Sequence, residues 1–209
     1  MRAFPYLVAR VLNADITEVN ASGWGLIWGW NDTNGNTNLY TAFQKQAILP
    51  NNTQMSKAFD FTTDDDYDLI IVNFGINDYS VHISKITDAT TKAQDIERYR
   101  QRFTDFLSLL HEKYPNAIII SVNDDITVDE GLINKQVIEA NFSSFAYEVK
   151  IPANGAGTSY GSNSHANVQT HVWSANAILD FLKESAYKDK FVEVNERLVY
   201  DQNRDQLNG

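Results

Sequence analysis

The sequence predicts an α/β fold built on one open parallel sheet with helices on both faces. Two mainly apolar runs, residues 69–74 and 117–122, each with a single polar residue (Asn73 and Ser121), have the length of strands. They lack the alternation of a half-solvated strand, which is the pattern of strands covered on both sides. Amphipathic stretches with apolar residues three and four positions apart separate or follow these runs. Strand and helix signals therefore alternate along the chain, with no internal repeat or linker between them.

Residues 5–13 read as a helix, with Leu7, Val8, Val11 and Leu12 on one side. A strand is expected at 16–21. From 22 to 38 the chain is rich in Gly, Asn, Thr and Trp, which predicts a long loop of the kind that often carries function. A short helix is expected at 39–48, and the acidic run Asp64-Asp65-Asp66 reads as a solvated turn. Strand 69–74 follows. The longest helix signal covers 91–114, with Ile96, Tyr99, Phe103, Phe106, Leu107 and Leu110 on one face, and Pro115 ends it. Then come a strand at 117–122, a helix at 133–140 and a strand at 145–151. A Gly/Asn/Ser loop at 153–164 leads into a last amphipathic helix at 167–184.

Length and composition narrow the function classes. A chain of 209 residues with 43% hydrophobic content supports one domain with a sizeable core, and one domain over 1–209 is expected. A net charge of −10 argues against nucleic acid and anionic membrane partners, because both are bound through clustered Lys and Arg. No segment approaches the ~20 apolar residues of a membrane helix. The absence of cysteine removes disulfides and thiolate chemistry. Near Met1 no basic segment runs into an apolar one, so no signal peptide is legible, and location is left open with a secreted parent as one reading. The four histidines lack the spacing of a zinc site, so neither a metal nor a cofactor is expected. Trp24, Trp28 and Trp30 crowd one short region. They read either as a loop folded over the core or as a platform for stacking sugars.

Two segments carry candidate chemistry. Gly75-Ile76-Asn77-Asp78 follows the first buried strand, where a sheet delivers side chains to its edge and Asn77 can donate to a reacting oxygen. Gly161-Ser162-Asn163-Ser164-His165-Ala166-Asn167 enters the last helix, and His165 is a candidate general base. Read blandly, Asn and Asp after a strand are turn formers and a lone loop histidine is incidental. His82 and His111 show no partner pattern. His171, inside the last helix, reads as structural or exposed.

Taken together, these segments resemble the SGNH (GDSL-like) hydrolases. Val19-Asn20-Ala21-Ser22-Gly23-Trp24-Gly25 is similar to the family's glycine block, and Gly75-Ile76-Asn77-Asp78 matches the Gly-x-Asn-Asp block in full. The His165 segment resembles the last block, with Asn163 where an acid often stands and Ala166 where proline is common. The resemblance is nearest to the carbohydrate-deacetylating, acetylxylan-esterase-like branch. It implies a flavodoxin-like three-layer fold and an acetylated carbohydrate, or another small ester, as substrate. Gly-Asp-Ser does not occur in the sequence. By this comparison the chain is expected to begin after the first strand and its serine nucleophile, and to be inactive alone.

The resemblance assigns roles. Asn77, through its side-chain amide, and Gly25, through its backbone N–H, would stabilise the oxyanion of ester cleavage, each contributing about 3 kcal/mol. His165 would pass the serine proton to the leaving alcohol. Asn163 cannot supply the charge that orients such a histidine, which leaves a backbone carbonyl near Ser164, or else Asp124 or Asp125. Two alternatives stand beside the esterase. One is a non-catalytic carbohydrate-binding domain on the same fold, and the other is a doubly wound domain binding a phosphorylated ligand. The latter is weakened because no Gly-rich loop joins the first strand to a helix. A sheet without its first strand is further expected to self-associate through the exposed edge.

Overall fold

The protein is described by a computed structural model covering residues 3–30, 35, 38–46, 57–64, 66–124, 128–153, 160–161 and 165–191. The chain groups into two compact units, Met1–Thr17 with Asp124–Ile126 and Val149–Gly209, and Glu18–Asn123 with Thr127–Glu148. In order, the elements are α1 (Phe4–Val11), α2 (Leu39–Phe43), β1 (Leu69–Val72), α3 (Ala89–Lys113), β2 (Ile118–Asp124), α4 (Val128–Asn141), β3 (Ala146–Ile151) and α5 (Val168–Glu184). A π-helical turn at Asp78–His82 and 3₁₀ turns at Phe61–Thr63 and Ile83–Lys85 complete them.

The expected parallel sheet is present, with strand order β1-β2-β3 among the described residues. β1 pairs in parallel with β2 from Leu69 opposite Ile118 to Val72 opposite Ser121. The run of isoleucines at 118–120 makes β2 the central strand. Such β-branched chains suit a pleated surface, and all three are buried. Burying each side chain contributes roughly 1.5–3 kcal/mol. α3 lays Tyr99, Phe103, Phe106, Leu107 and Leu110 into the core of the second unit, which also takes Ile133, Val137 and Ile138 from α4. Its start is fixed by Asp88, whose side chain accepts the Thr91 N–H at 2.8 Å. Hydrogen bonds from the Thr91 hydroxyl and N–H hold the Asp88 carboxyl below its usual range. At its end the Tyr114 hydroxyl donates to Asp64, which also accepts from Tyr67 at 3.1 Å. The acidic run thus includes a structural acceptor; Asp65 lies outside the described residues.

In the first unit α1 packs on α5. Pro5 opens α1, where a missing N–H costs nothing, and Phe4, Leu7 and Val8 are buried. Asn167 caps α5 by accepting the Thr170 N–H at 2.9 Å. The Phe4 ring lies 6.2 Å from that of His171. His171 is half-buried, and burial pushes its pKa below the usual histidine value.

One expected element is not a strand. Residues 16–21 are unpaired, with Ile16 40% and Val19 49% exposed. These two apolar residues stand three apart, and on a strand they would point to opposite faces, so neither face gathers enough apolar surface to dock.

Candidate functional site

β1 ends at Val72, and the chain then turns at Gly75, whose φ of 113° is one that L side chains rarely adopt. The Gly75 carbonyl accepts the Tyr79 N–H at 2.8 Å and starts the π-helical turn. That turn delivers Asp78 into the interior, where it is fully buried. Asp78 Oδ2 accepts the Leu26 N–H at 2.7 Å, and Oδ1 accepts those of Ile27 at 2.7 Å and Trp28 at 2.9 Å. One carboxylate therefore satisfies three consecutive amides of a segment about fifty positions away. Burial pushes its pKa up to about 6, while the three N–H bonds pull in the opposite direction.

The segment so held contains Gly25. A side chain there would drive Cβ against the Trp28 carbonyl oxygen and the Asp78 carboxylate, 2.7 Å from Asp78 Cγ, so only glycine fits. Two more bonds close the turn, Trp30 N–H to Gly23 O at 2.7 Å and Leu39 N–H to Gly25 O at 3.0 Å, the latter leading into α2. Asn77, half-buried, donates its side-chain amide to the Trp24 carbonyl at 3.2 Å. That carbonyl belongs to the same peptide as the Gly25 N–H. A trans peptide points the two in opposite directions, so the Gly25 N–H faces away from this bond. Among the described residues that N–H has no hydrogen-bond partner, and the second hydrogen of the Asn77 amide is likewise unspent. In this arrangement the two donors lie on opposite sides of the Trp24–Gly25 peptide, and the Asn77 amide must turn from the Trp24 carbonyl to join the Gly25 N–H at one oxygen.

The tryptophans divide between the two readings. Trp24 and Trp28 are buried, as a loop over the core requires, while Trp30 is 65% exposed with Lys85 Nζ 5.9 Å from its ring centre. His82 does have a partner, contrary to expectation: its Nε2 lies 2.7 Å from Asp95 Oδ2, and its ring stacks on Trp28 with centroids 4.2 Å apart. His111 stacks on Phe145 at 3.8 Å. The spacing of His82 and Asp95, thirteen residues apart on different elements, hides this pair from the sequence.

His165 belongs to the first unit, where it is exposed and its carbonyl accepts the Gly161 N–H at 2.8 Å, two residues before the Asn167 cap of α5. Asn163, Ser162 and Ser164 lie outside the described residues, as does Asp125. Asn77 and the Gly25 segment are brought together in the second unit. Asp78, which ties them, was legible only as part of the motif and not as the anchor. Its signal is an acid set between an apolar strand and the buried Val81 and Ile83. No group of three or more His, Asp or Glu among the described residues is placed to hold a metal.

No protein-family model matches the sequence, and no curated protein matches it. Solved structures do share its fold. An acetyl xylan esterase from the rumen bacterium Butyrivibrio proteoclasticus superposes with a TM-score of 0.69 at 22% identity, covering 86% of this chain and 54% of its own. A family two carbohydrate esterase from Cellvibrio japonicus gives 0.69 at 22% identity, covering 87% and 50%. Another from Clostridium thermocellum, in complex with cellohexaose, gives 0.68 at 21%, covering 86% and 53%. The fold is therefore the flavodoxin-like SGNH fold of these carbohydrate esterases, and the chain matches only about half the length of each.

Proposed function

We propose that residues 1–209 form the larger part of one SGNH-type esterase domain that removes acetyl groups from cell-wall carbohydrate. The observation that carries this reading is the corner anchored by Asp78, where the Gly25 N–H has no hydrogen-bond partner among the described residues and Asn77 stands beside the same peptide. Such donors stabilise the oxyanion that forms when an ester carbonyl is attacked. His165 serves as general base, accepting the proton of the attacking hydroxyl and returning it to the sugar alcohol. No cofactor or metal takes part in this scheme.

The attacking hydroxyl comes from a Gly-Asp-Ser segment that this sequence does not contain. Joining such a strand and turn ahead of residue 1 should create hydrolysis of p-nitrophenyl acetate where the chain alone shows none. If the extended chain folds and still fails to hydrolyse the ester, the esterase reading is wrong.

A second reading is favoured by Trp30. An indole two-thirds exposed beside a lysine, on the same turn as Gly25, suits stacking against a pyranose ring without chemistry. The fold-sharing esterase from Clostridium thermocellum was solved with cellohexaose, which supports trying such ligands. Calorimetry with xylo-, manno- and cello-oligosaccharides tests it: binding that Trp30→Ala abolishes supports this reading, and no heat from any of the three removes it.

A further inference from the structure

We propose that Asp95 and His82 are positioning residues for the Gly25 donor, acting through Trp28 as a clamp. This inference rests on the reading of the Gly25 corner as a ligand-facing donor site. The chain of contacts is continuous within the second unit. From α3, Asp95 Oδ2 holds His82 Nε2 at 2.7 Å, with each side chain 20% exposed. The His82 ring lies almost parallel to the Trp28 indole, at 4.2 Å and 18°. The Arg98 guanidinium, one helical turn along from Asp95, sits 5.4 Å from the same indole. Trp28 is 1% exposed, and its N–H reaches Asp78 at 2.9 Å. Its carbonyl oxygen is the wall against which the Gly25 backbone rests, because a Cβ at residue 25 would collide with it first.

Each contact constrains a different degree of freedom. The three amide bonds to Asp78 fix where the backbone at 26–28 sits, but rotation about that anchor would still swing the Trp28 carbonyl and the Gly25 N–H. A ring stack is sensitive to tilt, and an imidazole tethered by a carboxylate cannot follow a rotating indole. Asp78 and His82 begin and end one π-helical turn, so a single local structure carries both the anchor and the stacking ring. π-helical turns of this kind recur at functional sites.

The test is amide hydrogen exchange by NMR on this chain as it stands, which needs no catalysis and so separates this inference from the esterase reading. His82→Ala should speed exchange at Leu26, Ile27 and Trp28 by about three- to tenfold, the loss of one ring stack. It should also shift the Gly25 amide resonance, while Phe103 and Leu107 in α3 stay protected as before. Asp95→Asn should produce the same local pattern with the fold intact. His82→Phe, which keeps the stack and loses the tether, should speed exchange at residues 26–28 as Asp95→Asn does, and it carries the test if the alanine variant does not fold. Unchanged exchange at 26–28, or a rise spread evenly over the second unit, overturns the clamp.

Discussion

At the scale of single residues the site is a problem of fit and charge. Gly25→Ala would press a methyl group into the Trp28 carbonyl and the Asp78 carboxylate. We expect it to destabilise the protein by about 1–3 kcal/mol, read as a lower denaturant midpoint at unchanged m-value. Asp78 makes stability pH-dependent. Its folded pKa of about 6 lies above the ordinary aspartate value of 3.8, so its contribution is greatest below 3.8 and is lost as pH rises through about 6. Wild type should accordingly gain about 1 kcal/mol on Asp78→Asn between pH 7.5 and 5, measured by urea unfolding. Asn77→Ala should lower stability by about 1 kcal/mol, through loss of the bond to the Trp24 carbonyl, and reduce the activity of a serine-completed enzyme by about 100-fold or more. Asn77 was legible because a strand-end Gly-x-Asn-Asp is a local pattern. The grip of Asp78 on residues 26–28 and the pairing of His82 with Asp95 were not, since nothing in a sequence links partners brought together only by the fold.

At the scale of elements, periodicity found most of what is there. α3 and α5 begin within two residues of their expected starts, because Asp88 and Asn167 mark them with side-chain caps. Asn167→Ala should lower stability by about 1 kcal/mol, seen in thermal unfolding, through loss of the bond to the Thr170 N–H. The segment at 16–21 departs from expectation because β-propensity without a single apolar face does not make a strand. The α1 and α5 pair carries its own acid sensitivity. Burial lowers the His171 pKa, so the folded state favours the neutral ring, and stability present above the ordinary value of 6.5 is lost as pH falls. In His171→Phe the acid-induced loss between pH 7 and 5 should shrink, as followed by circular dichroism at each pH.

At the scale of the whole molecule, the sheet poses the main question. β2 is buried over six of its seven residues, whereas in β1 only Val72 is buried and Leu69, Ile70 and Ile71 remain partly accessible. β1 is also an outer strand among the described residues. An apolar outer strand of this kind is a template for pairing, so sedimentation velocity should show concentration-dependent association that Ile70→Lys reduces. A strictly monomeric, cooperatively melting wild type would contradict that expectation. The fold class was readable from two apolar runs and the alternation of elements, because both express burial directly.

The hold of Asp78 on residues 26–28 has a consequence for engineering. It is made entirely through main-chain N–H groups of residues 26–28, so it does not depend on the side chain carried at residue 30. Trp30, solvent-facing and bonded to the Gly23 carbonyl through its own N–H, can therefore be exchanged through a library without loosening the frame. The turn is a socket, in which the tip that meets a ligand can be replaced while the mounting stays fixed.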